Sequence, residues 1–146
     1  MDTIEGIIPP LVTPLNEEGE LDAEGLARVV DHVVAGGVHG LFVLGTTGEG
    51  PSLPYEVRTE LIEWVCGQAR GRVPVLVGIT DASFGQAVHM ADAAARFGAQ
   101  AVVLAPPFYY QIDQRELHGF VDPLIDAIDL PVFLYDNPGL TGVSFD

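Results

Sequence analysis

Short apolar segments recur along the chain, and stretches with the apolar spacing of amphipathic helices lie between them. The five segments span residues 6–11, 40–44, 73–79, 101–105 and 130–135. They are nearly continuously apolar and rich in Val, Ile and Leu, which is typical of parallel strands covered on both faces. Most segments begin roughly 30 residues after the previous one, the usual length of a strand with its crossover helix. The pattern therefore predicts an α/β protein with a parallel sheet.

The number of repeats predicts the architecture. A closed (β/α)8 barrel, or TIM barrel, needs about 200 to 250 residues, and this chain of 146 residues provides the first four βα units and the fifth strand. We expect residues 1–146 to be the N-terminal part of a single TIM-barrel domain whose remainder is missing from this sequence. An open doubly wound sheet is the alternative, but its first βα junction would carry G-x-G-x-x-G, and Pro9-Pro10-Leu11-Val12-Thr13-Pro14 stands there instead.

Local signals predict where several helices begin and end. Ser83 and Asp113 each stand three positions before a Gln or Glu, the spacing of a capping box. Gly98 and the Gly36-Gly37 pair predict left-handed C-caps. Pro123 falls inside a helical stretch, where we expect a kink or a break.

The composition restricts the classes of partner. Apolar residues make up 48% of the chain and the mean hydropathy is +0.30, which is ample for a packed core. The formal net charge is −15, with six basic residues, all arginines, dispersed among 21 acidic ones. Nucleic acids and anionic membranes are therefore not expected as partners, because phosphate contacts need clustered Arg and Lys.

The sequence also predicts a cytoplasmic location. The N-terminus lacks the basic region of a signal peptide, and no apolar run reaches the roughly 18 residues of a membrane span. The single cysteine, Cys66, cannot form an internal disulfide, which suits a reducing compartment. We expect this thiol to be buried and inert.

A glycine-hinged loop with paired hydroxyls follows the second apolar segment. Its sequence is Gly45-Thr46-Thr47-Gly48-Glu49-Gly50-Pro51-Ser52. A loop of this composition at the end of a buried strand is suited to holding a small anion through its backbone N–H groups. It is not a nucleotide-binding P-loop, because Pro51 occupies the position of the P-loop lysine.

The other candidate side chains are found by the same rule, since catalytic groups of a barrel lie at the C-terminal ends of its strands. These ends carry mostly hydroxyls and few charges: Thr13, residues 45–49, Thr80, Asp81, residues 106–110 and residues 135–138. No cluster of His, Cys and carboxylate residues has the spacing of metal ligands, so we expect no metal site. The four histidines fall in or beside predicted helices, away from the strand ends.

Three of these strand-end motifs together carry a resemblance. They are Gly45-Thr46-Thr47-Gly48-Glu49, Pro106-Pro107-Phe108-Tyr109-Tyr110, and Leu134-Tyr135-Asp136-Asn137-Pro138 with Thr141-Gly142. In this order they resemble the family of dihydrodipicolinate synthase and N-acetylneuraminate lyase, (β/α)8 aldolases that form a Schiff base with pyruvate. The resemblance covers the whole chain.

The resemblance implies roles for particular residues. Thr46 and Thr47, with backbone N–H groups of Gly45 and Gly48, would bind the carboxylate of pyruvate or another 2-oxo acid. Tyr135 would be the proton shuttle, and Thr47 would link it to a proton relay.

Two further roles concern the rim of the site. Tyr109 resembles a tyrosine that family members insert into a neighbouring subunit's site, which implies a homo-oligomer, a dimer or a tetramer. We expect Glu49 to anchor its loop by hydrogen bonds to backbone groups rather than to act as an acid or base.

The chain departs from the family pattern in ways that bear on the substrate. Position 136 is Asp where the family commonly has Asn. Position 140 is Leu where dihydrodipicolinate synthases have an arginine that binds the substrate carboxylate, so Leu140 is similar to the sialic-acid-lyase and sugar-acid-aldolase side of the family. The imine-forming lysine of the family lies on the sixth strand, and residues 1–146 contain no lysine.

The first hypothesis is therefore a Schiff-base pyruvate aldolase or lyase that needs no cofactor, with its lysine beyond residue 146. One alternative is dihydrodipicolinate synthase itself, which condenses pyruvate with aspartate semialdehyde. The other is a non-catalytic half-barrel that binds a 2-oxo acid or only assembles with partner chains.

Overall fold

The computed structural model describes residues 3–146. Helices and strands alternate along the chain. The elements are α1 (Ala23–Ala35), β1 (Leu41–Val43), a 3-10 helix (Gly50–Ser52), α2 (Tyr55–Ala69), β2 (Val75–Gly78), α3 (Phe84–Phe97), β3 (Ala101–Leu104), α4 (Gln114–Asp126), β4 (Val132–Leu134) and α5 (Pro138–Thr141).

The four strands form one parallel sheet in the order β1-β2-β3-β4, so each strand pairs with the next strand of the chain. A helix follows each of the first three strands and returns the chain to the same edge of the sheet, as parallel pairing requires. The predicted α/β class is confirmed.

The first predicted strand, residues 6–11, is an extended segment beside β1 rather than a regular strand. It forms one isolated bridge, between Pro10 and Phe42. The N–H of Leu11 donates to the Phe42 carbonyl at 2.8 Å, and the Phe42 N–H donates to the Pro9 carbonyl at 3.1 Å. The prediction of a strand was wrong in this detail because two successive prolines have no N–H to donate to a ladder.

The main core lies between the sheet and the helices. Fully buried apolar residues from four helices meet one face of the strands, among them Val30, Ile62, Met90 and Leu117. A smaller cluster lies on the opposite face, where Leu76, Ala101 and Val103 contact Ile4, Ile8 and Phe42. Both faces of β2 and β3 are thus covered, which explains why their sequences are apolar at every position.

The cap signals were partly right. Asp113 forms the predicted capping box with Glu116 at the start of α4. Ser83 precedes α3 but makes no side-chain cap bond; its own N–H donates to the Asp81 carboxylate at 2.8 Å. The predicted box at Ser83 was wrong, because the preceding carboxylate organises this turn instead.

The predicted C-caps and the proline break also had mixed outcomes. Gly98 is left-handed, with φ +87°, as predicted. After α1 it is Gly37 that is left-handed, with φ +79°, while Gly36 remains right-handed. Helix α4 does not break at Pro123, because Val121 and Leu124 beside the proline are packed in the core and tertiary packing supports the helix.

Strand β4 forms an open edge of the described sheet. Phe133 and Leu134 are 39% and 52% exposed, whereas β3 beside them is buried along its whole length. No helix within residues 3–146 is both long enough and apolar enough to cross a membrane.

The thiol of Cys66 lies on the buried side of α2, at 6% exposure. Burial disfavours the thiolate and raises the pKa of Cys66 to about 11. The thiol is therefore protonated at neutral pH, as expected for an inert core cysteine.

The N-cap residues of α3 and α4, Ser83 and Asp113, give a matched test of capping. We expect Asp113→Ala to lower the free energy of unfolding by about 1 kcal/mol, because the first turn of α4 loses its side-chain acceptor. Ser83→Ala is the control and should change it by less than about 0.5 kcal/mol, since Ser83 caps nothing. Urea unfolding measures both, and equal losses would contradict the assignment.

Candidate functional site

A cavity of about 310 Å³ opens at the C-terminal ends of the strands. Residues from the segments after β1, β2, β3 and β4 converge on it: Gly45, Thr46, Glu49, Pro51, Ser52, Thr80, Ala105, Phe108, Tyr135, Asn137, Leu140 and Thr141. The floor is apolar, with Phe42, Leu44 and Val103, and the polar groups are hydroxyls and one amide. Glu49 is the one charged residue among the described residues that line the cavity. The cavity has the size and composition of a small-ligand site.

The loop after β1 begins with an unusual backbone. Leu44 has φ +59° and Glu49 has φ +54°, a left-handed conformation that is rare for residues other than glycine. The N–H of Glu49 donates to the Thr46 carbonyl at 3.1 Å, and the N–H of Gly50 donates to the Gly45 carbonyl at 3.2 Å. The loop is therefore a closed turn that folds back over the end of the sheet.

Close approach of backbone to backbone holds this turn in place. Gly50 and Gly78 both lie against the carbonyl group of Leu44, and a Cβ on Gly78 would stand 2.6 Å from its oxygen. Thr13, at the end of the first segment, donates its hydroxyl to the Gly48 carbonyl at 2.7 Å. The turn at the end of β1 thus contacts both the first segment and β2, which flank β1.

Tyr135 follows β4 and faces the cavity. Its N–H donates to the Leu104 carbonyl at 2.8 Å, which continues the β3–β4 pairing. Its ring meets Phe42 edge to face, with centroids 6.3 Å apart. The amide of Asn137 donates to its hydroxyl at 3.4 Å, so the phenol oxygen lies at the mouth of the cavity beside polar neighbours.

The structure brings together some of the predicted site residues. Gly45, Thr46, Tyr135 and Leu140 line the same cavity, although they are up to 95 positions apart in the sequence (140 − 45). Thr47 and Gly48 belong to the loop but do not line the cavity. No hydrogen bond joins Thr47 to Tyr135 within the described residues, so the relay through Thr47 stays a prediction.

Tyr109 lies outside this cavity. It lines a neighbouring one of about 560 Å³, which shares Phe108, Leu140 and Thr141 with the first. The ring of Tyr109 is 74% exposed and packs edge to face on Tyr110, with centroids 4.8 Å apart. Its role in a partner subunit also stays a prediction.

Glu49 does not anchor its loop. Its side chain is exposed and makes no hydrogen bond to the described protein, so that expectation was wrong. The hydroxyl of Thr13, which donates to the Gly48 carbonyl, holds the loop instead.

A buried charged network that was not predicted from the sequence supports residues 51–53, the far arm of the loop after β1. Arg58 of α2 donates to the carbonyls of Leu53 at 2.9 Å and Pro51 at 3.2 Å, and pairs with Asp81 at 3.3 Å. The hydroxyl of Tyr55 donates to the same Asp81 oxygen at 2.8 Å. That bond, with burial, raises the pKa of Tyr55 above its usual value.

Asp136, the departure from Asn, joins the segment after β4 to the residues that follow α5. Its two carboxylate oxygens accept from the Ser144 hydroxyl at 2.8 Å and from the Phe145 N–H at 3.2 Å. Each oxygen accepts one donor, and an amide could keep both contacts only with its nitrogen donating to the Ser144 hydroxyl.

A larger cavity, of about 710 Å³, lies at the opposite end of the sheet, near the starts of β2 and β3. It is lined by residues such as Val38, Arg70 and Phe97, and by none of the strand-end candidates. Catalytic groups of barrels occur at the C-terminal ends of strands, so the smaller cavity is the candidate site. Residues 3–146 contain no group of three His, Cys, Asp or Glu side chains placed to hold a metal ion.

The sequence model of the dihydrodipicolinate synthetase family matches residues 3–146. The chain belongs to this family.

Individual relatives agree with the family match. The 4-hydroxy-tetrahydrodipicolinate synthase of Pelobacter propionicus is 39% identical over 140 residues, which are 96% of this chain and 48% of that protein. The structure of dihydrodipicolinate synthase from Bacteroides thetaiotaomicron is 53% identical, with a TM-score of 0.91 over 97% of this chain and 48% of that chain. The structure of the Escherichia coli K12 prophage protein YagE in complex with pyruvate is 34% identical, with a TM-score of 0.92 over 95% and 47%.

The chain spans about half the length of the dihydrodipicolinate synthetase relatives that it matches. Its fold superposes closely on theirs over that half. The half-length match and the parallel α/β fold agree with the count of βα units, while the assignment to the N-terminal part of one barrel domain stays a prediction.

The sequence contained a signal for the Arg58 network that could have been used. Arg58 stands on the buried face of α2, since Leu61, Ile62 and Val65 follow at helical spacing and are all buried. An arginine on an apolar helix face needs acceptors, and Asp81 at a strand end was already a candidate. The carbonyl partners at Pro51 and Leu53 could not be read from residue types.

Substitutions at two glycines test the close approach of Gly78 to the Leu44 carbonyl at the end of β1. We expect Gly78→Ala to lower the free energy of unfolding by roughly 1–3 kcal/mol, because its Cβ would collide with the Leu44 carbonyl. Gly67→Ala in α2 is the matched control, since nothing lies within 4 Å of its added Cβ; it should stabilise by about 0.5–1 kcal/mol. Denaturant unfolding measures both, and an unchanged Gly78→Ala would refute the contact.

Proposed function

We propose that this chain supplies the 2-oxo-acid-binding half of a Schiff-base pyruvate aldolase or lyase. The observation that carries the proposal is the convergence of Thr46, Tyr135 and Leu140 on one cavity at the strand ends, in a chain of the dihydrodipicolinate synthetase family. The structure of YagE with pyruvate supports the choice of ligand.

The proposed binding role falls on the loop after β1. The hydroxyls of Thr46 and Thr47 and the N–H groups near Gly45 and Gly48 would donate to the carboxylate of the 2-oxo acid. Such donors suit a carboxylate because charge-assisted hydrogen bonds are stronger than neutral ones. The turn is closed by its own backbone bonds, so little ordering would remain to be done on binding.

In the reaction, an amine adds to C2 of pyruvate with loss of water, and the imine then loses a proton from C3. The resulting enamine attacks the carbonyl carbon of an aldehyde, and cleavage follows the same steps in reverse. The phenol of Tyr135 would carry the proton between the reacting oxygen and a relay. Residues 1–146 contain no lysine, so the amine would come from outside them.

The aldehyde partner is proposed to be uncharged where it meets Leu140. Leu140 is 61% exposed at the mouth of the cavity, and the described lining contains no basic residue. Hydroxyls and amide groups of Ser52, Asn137 and Thr141 suit a polyhydroxylated aldehyde, as in sugar-acid or sialic-acid lyases.

The second candidate is 4-hydroxy-tetrahydrodipicolinate synthase, which the Pelobacter propionicus and Bacteroides thetaiotaomicron relatives favour by name. It would have to bind aspartate semialdehyde, which carries its own carboxylate, without an arginine at position 140. The third candidate is a half-barrel that binds a 2-oxo acid without catalysis.

We further propose a cytoplasmic homo-oligomer, a dimer or a tetramer. The exposed Tyr109 beside the cavity supports a second subunit there, and the single buried thiol of Cys66 suits a reducing compartment. The acidic charge of −15 argues against nucleic-acid and membrane partners. No organic or metal cofactor is needed for this chemistry.

Capture by borohydride in the presence of pyruvate tests the covalent step, and Tyr135→Phe tests the shuttle. The complete catalytic unit should gain a reduced pyruvate adduct detectable by intact mass. Tyr135→Phe should lower kcat about a hundredfold or more, while Tyr110→Phe, an exposed tyrosine outside the cavity, should leave it unchanged. Pyruvate binding without an adduct would favour the non-catalytic candidate, and unchanged turnover in Tyr135→Phe would refute the mechanism.

Leu140→Arg tests the class of aldehyde. The wild type should prefer cleavage of 2-dehydro-3-deoxy sugar acids to condensation with aspartate semialdehyde. A guanidinium at position 140 should improve kcat/KM for aspartate semialdehyde by about tenfold or more, because it offers a bidentate partner to the extra carboxylate. Leu140→Met is the size-matched neutral control. Efficient use of aspartate semialdehyde by the wild type would favour the synthase instead.

A further inference from the structure

Arg58 is the buried charged residue of the described chain, with 8% of its surface exposed. Its partner Asp81 is also shielded, and their side chains are 10% and 12% exposed. Burying a guanidinium is unfavourable unless its donors and its charge are satisfied. The position of this arginine therefore requires an explanation in terms of what it holds.

Each of the three guanidinium nitrogens donates to a different acceptor. Nε donates to the Leu53 carbonyl, Nη2 to the Pro51 carbonyl, and Nη1 to the Asp81 carboxylate. The central carbon of the guanidinium lies over the Tyr55 ring, 4.5 Å from the ring centroid, so the ring packs against one side of this planar group. The second oxygen of Asp81 accepts the N–H of Ser83.

These acceptors belong to two separate parts of the site. Pro51 and Leu53 follow the loop that carries Thr46, and Pro51 itself lines the cavity. Asp81 follows Thr80, which lines the cavity from the end of β2 and accepts the Ala105 N–H at 2.8 Å. One side chain on α2 thus joins the far arm of the loop to the second wall of the cavity.

We propose that Arg58 is a positioning residue for the 2-oxo-acid pocket: its planar fork sets the distance between the loop of residues 45–52 and the end of β2. The choice of a 2-oxo acid as ligand rests on the function proposed above, whereas the positioning of the loop rests on the hydrogen bonds alone.

A lysine at position 58 could not make the same three contacts. Its ammonium group is a point charge that could remain beside Asp81, but it cannot reach two carbonyls and a carboxylate in one plane. Arg58→Lys therefore keeps the charge in the core and removes the fork, which separates positioning from charge balance. Arg28→Lys is the matched control, because Arg28 makes only an exposed pair with Glu24.

Amide hydrogen exchange of the purified protein reads out the position of the loop. The loop reporters are the N–H groups of Gly50 and Ser52, and the core reporters are those of Leu41 and Val102. In Arg58→Lys we expect the loop amides to exchange about tenfold faster or more, with core amides and Arg28→Lys unchanged. Equal acceleration of loop and core would show a general loss of stability, and no change in the loop would also overturn the proposal.

Calorimetric titration with pyruvate adds a second readout. Arg58→Lys should weaken pyruvate binding about tenfold while Arg28→Lys matches the wild type, and unchanged affinity in Arg58→Lys would overturn the link to the pocket. If the wild type does not bind pyruvate, the proposed function fails, and the exchange data still decide the positioning role. Should Arg58→Lys not fold, Asp81→Asn is the second variant, since it keeps both carbonyl contacts of Arg58 and weakens the bonds that Asp81 accepts from Arg58 and Tyr55; the same loop-specific acceleration is expected.

Discussion

The candidate site depends on the backbone of Leu44. Its left-handed conformation turns the chain at the end of β1, and its carbonyl then lies against Gly50 on one side and Gly78 on the other. Because neither glycine has a Cβ, the returning loop can lie directly on the sheet. The strain of a left-handed leucine is tolerated because the residue is buried and its neighbours are fixed. The turn brings Thr46 to the cavity at the strand ends.

Once the turn is made, two kinds of interaction hold it. Thr13 contacts the near side through one neutral hydrogen bond, and the far side relies on a buried ion pair with three further hydrogen bonds. A chain with a net charge of −15 and six arginines places one of those arginines in the interior. The polar groups behind the site are thus more strongly charged than those that line it, where hydroxyls dominate. Burial of charge here organises the wall of the cavity without adding charge to the cavity itself.

The sequence predicted the repeat of strands and helices well, because apolar runs in a doubly covered sheet are long and unmistakable. It predicted the strand-end residues Thr46 and Tyr135 because strand ends of a parallel sheet share one edge, whereas Leu140 was predicted from the family resemblance. Its errors arose where a backbone detail decides the outcome. The Pro9-Pro10 pair removed donors from the first segment, the Asp81 carboxylate organised the turn at Ser83, and the Glu49 side chain lies exposed without a hydrogen bond to its loop. The Arg58 contacts involve main-chain carbonyls, which residue types do not reveal.

The strand order has a consequence for how the chain folds. Every strand pairs with the strand that follows it, so each pairing closes a loop of only one βα unit. The entropy of loop closure rises slowly with length, but contacts between near neighbours in sequence are still the fastest to form. The described sheet can therefore grow one unit at a time from any adjacent pair. Local order of this kind allows a piece of a larger barrel to reach its native pairing before distant segments take part.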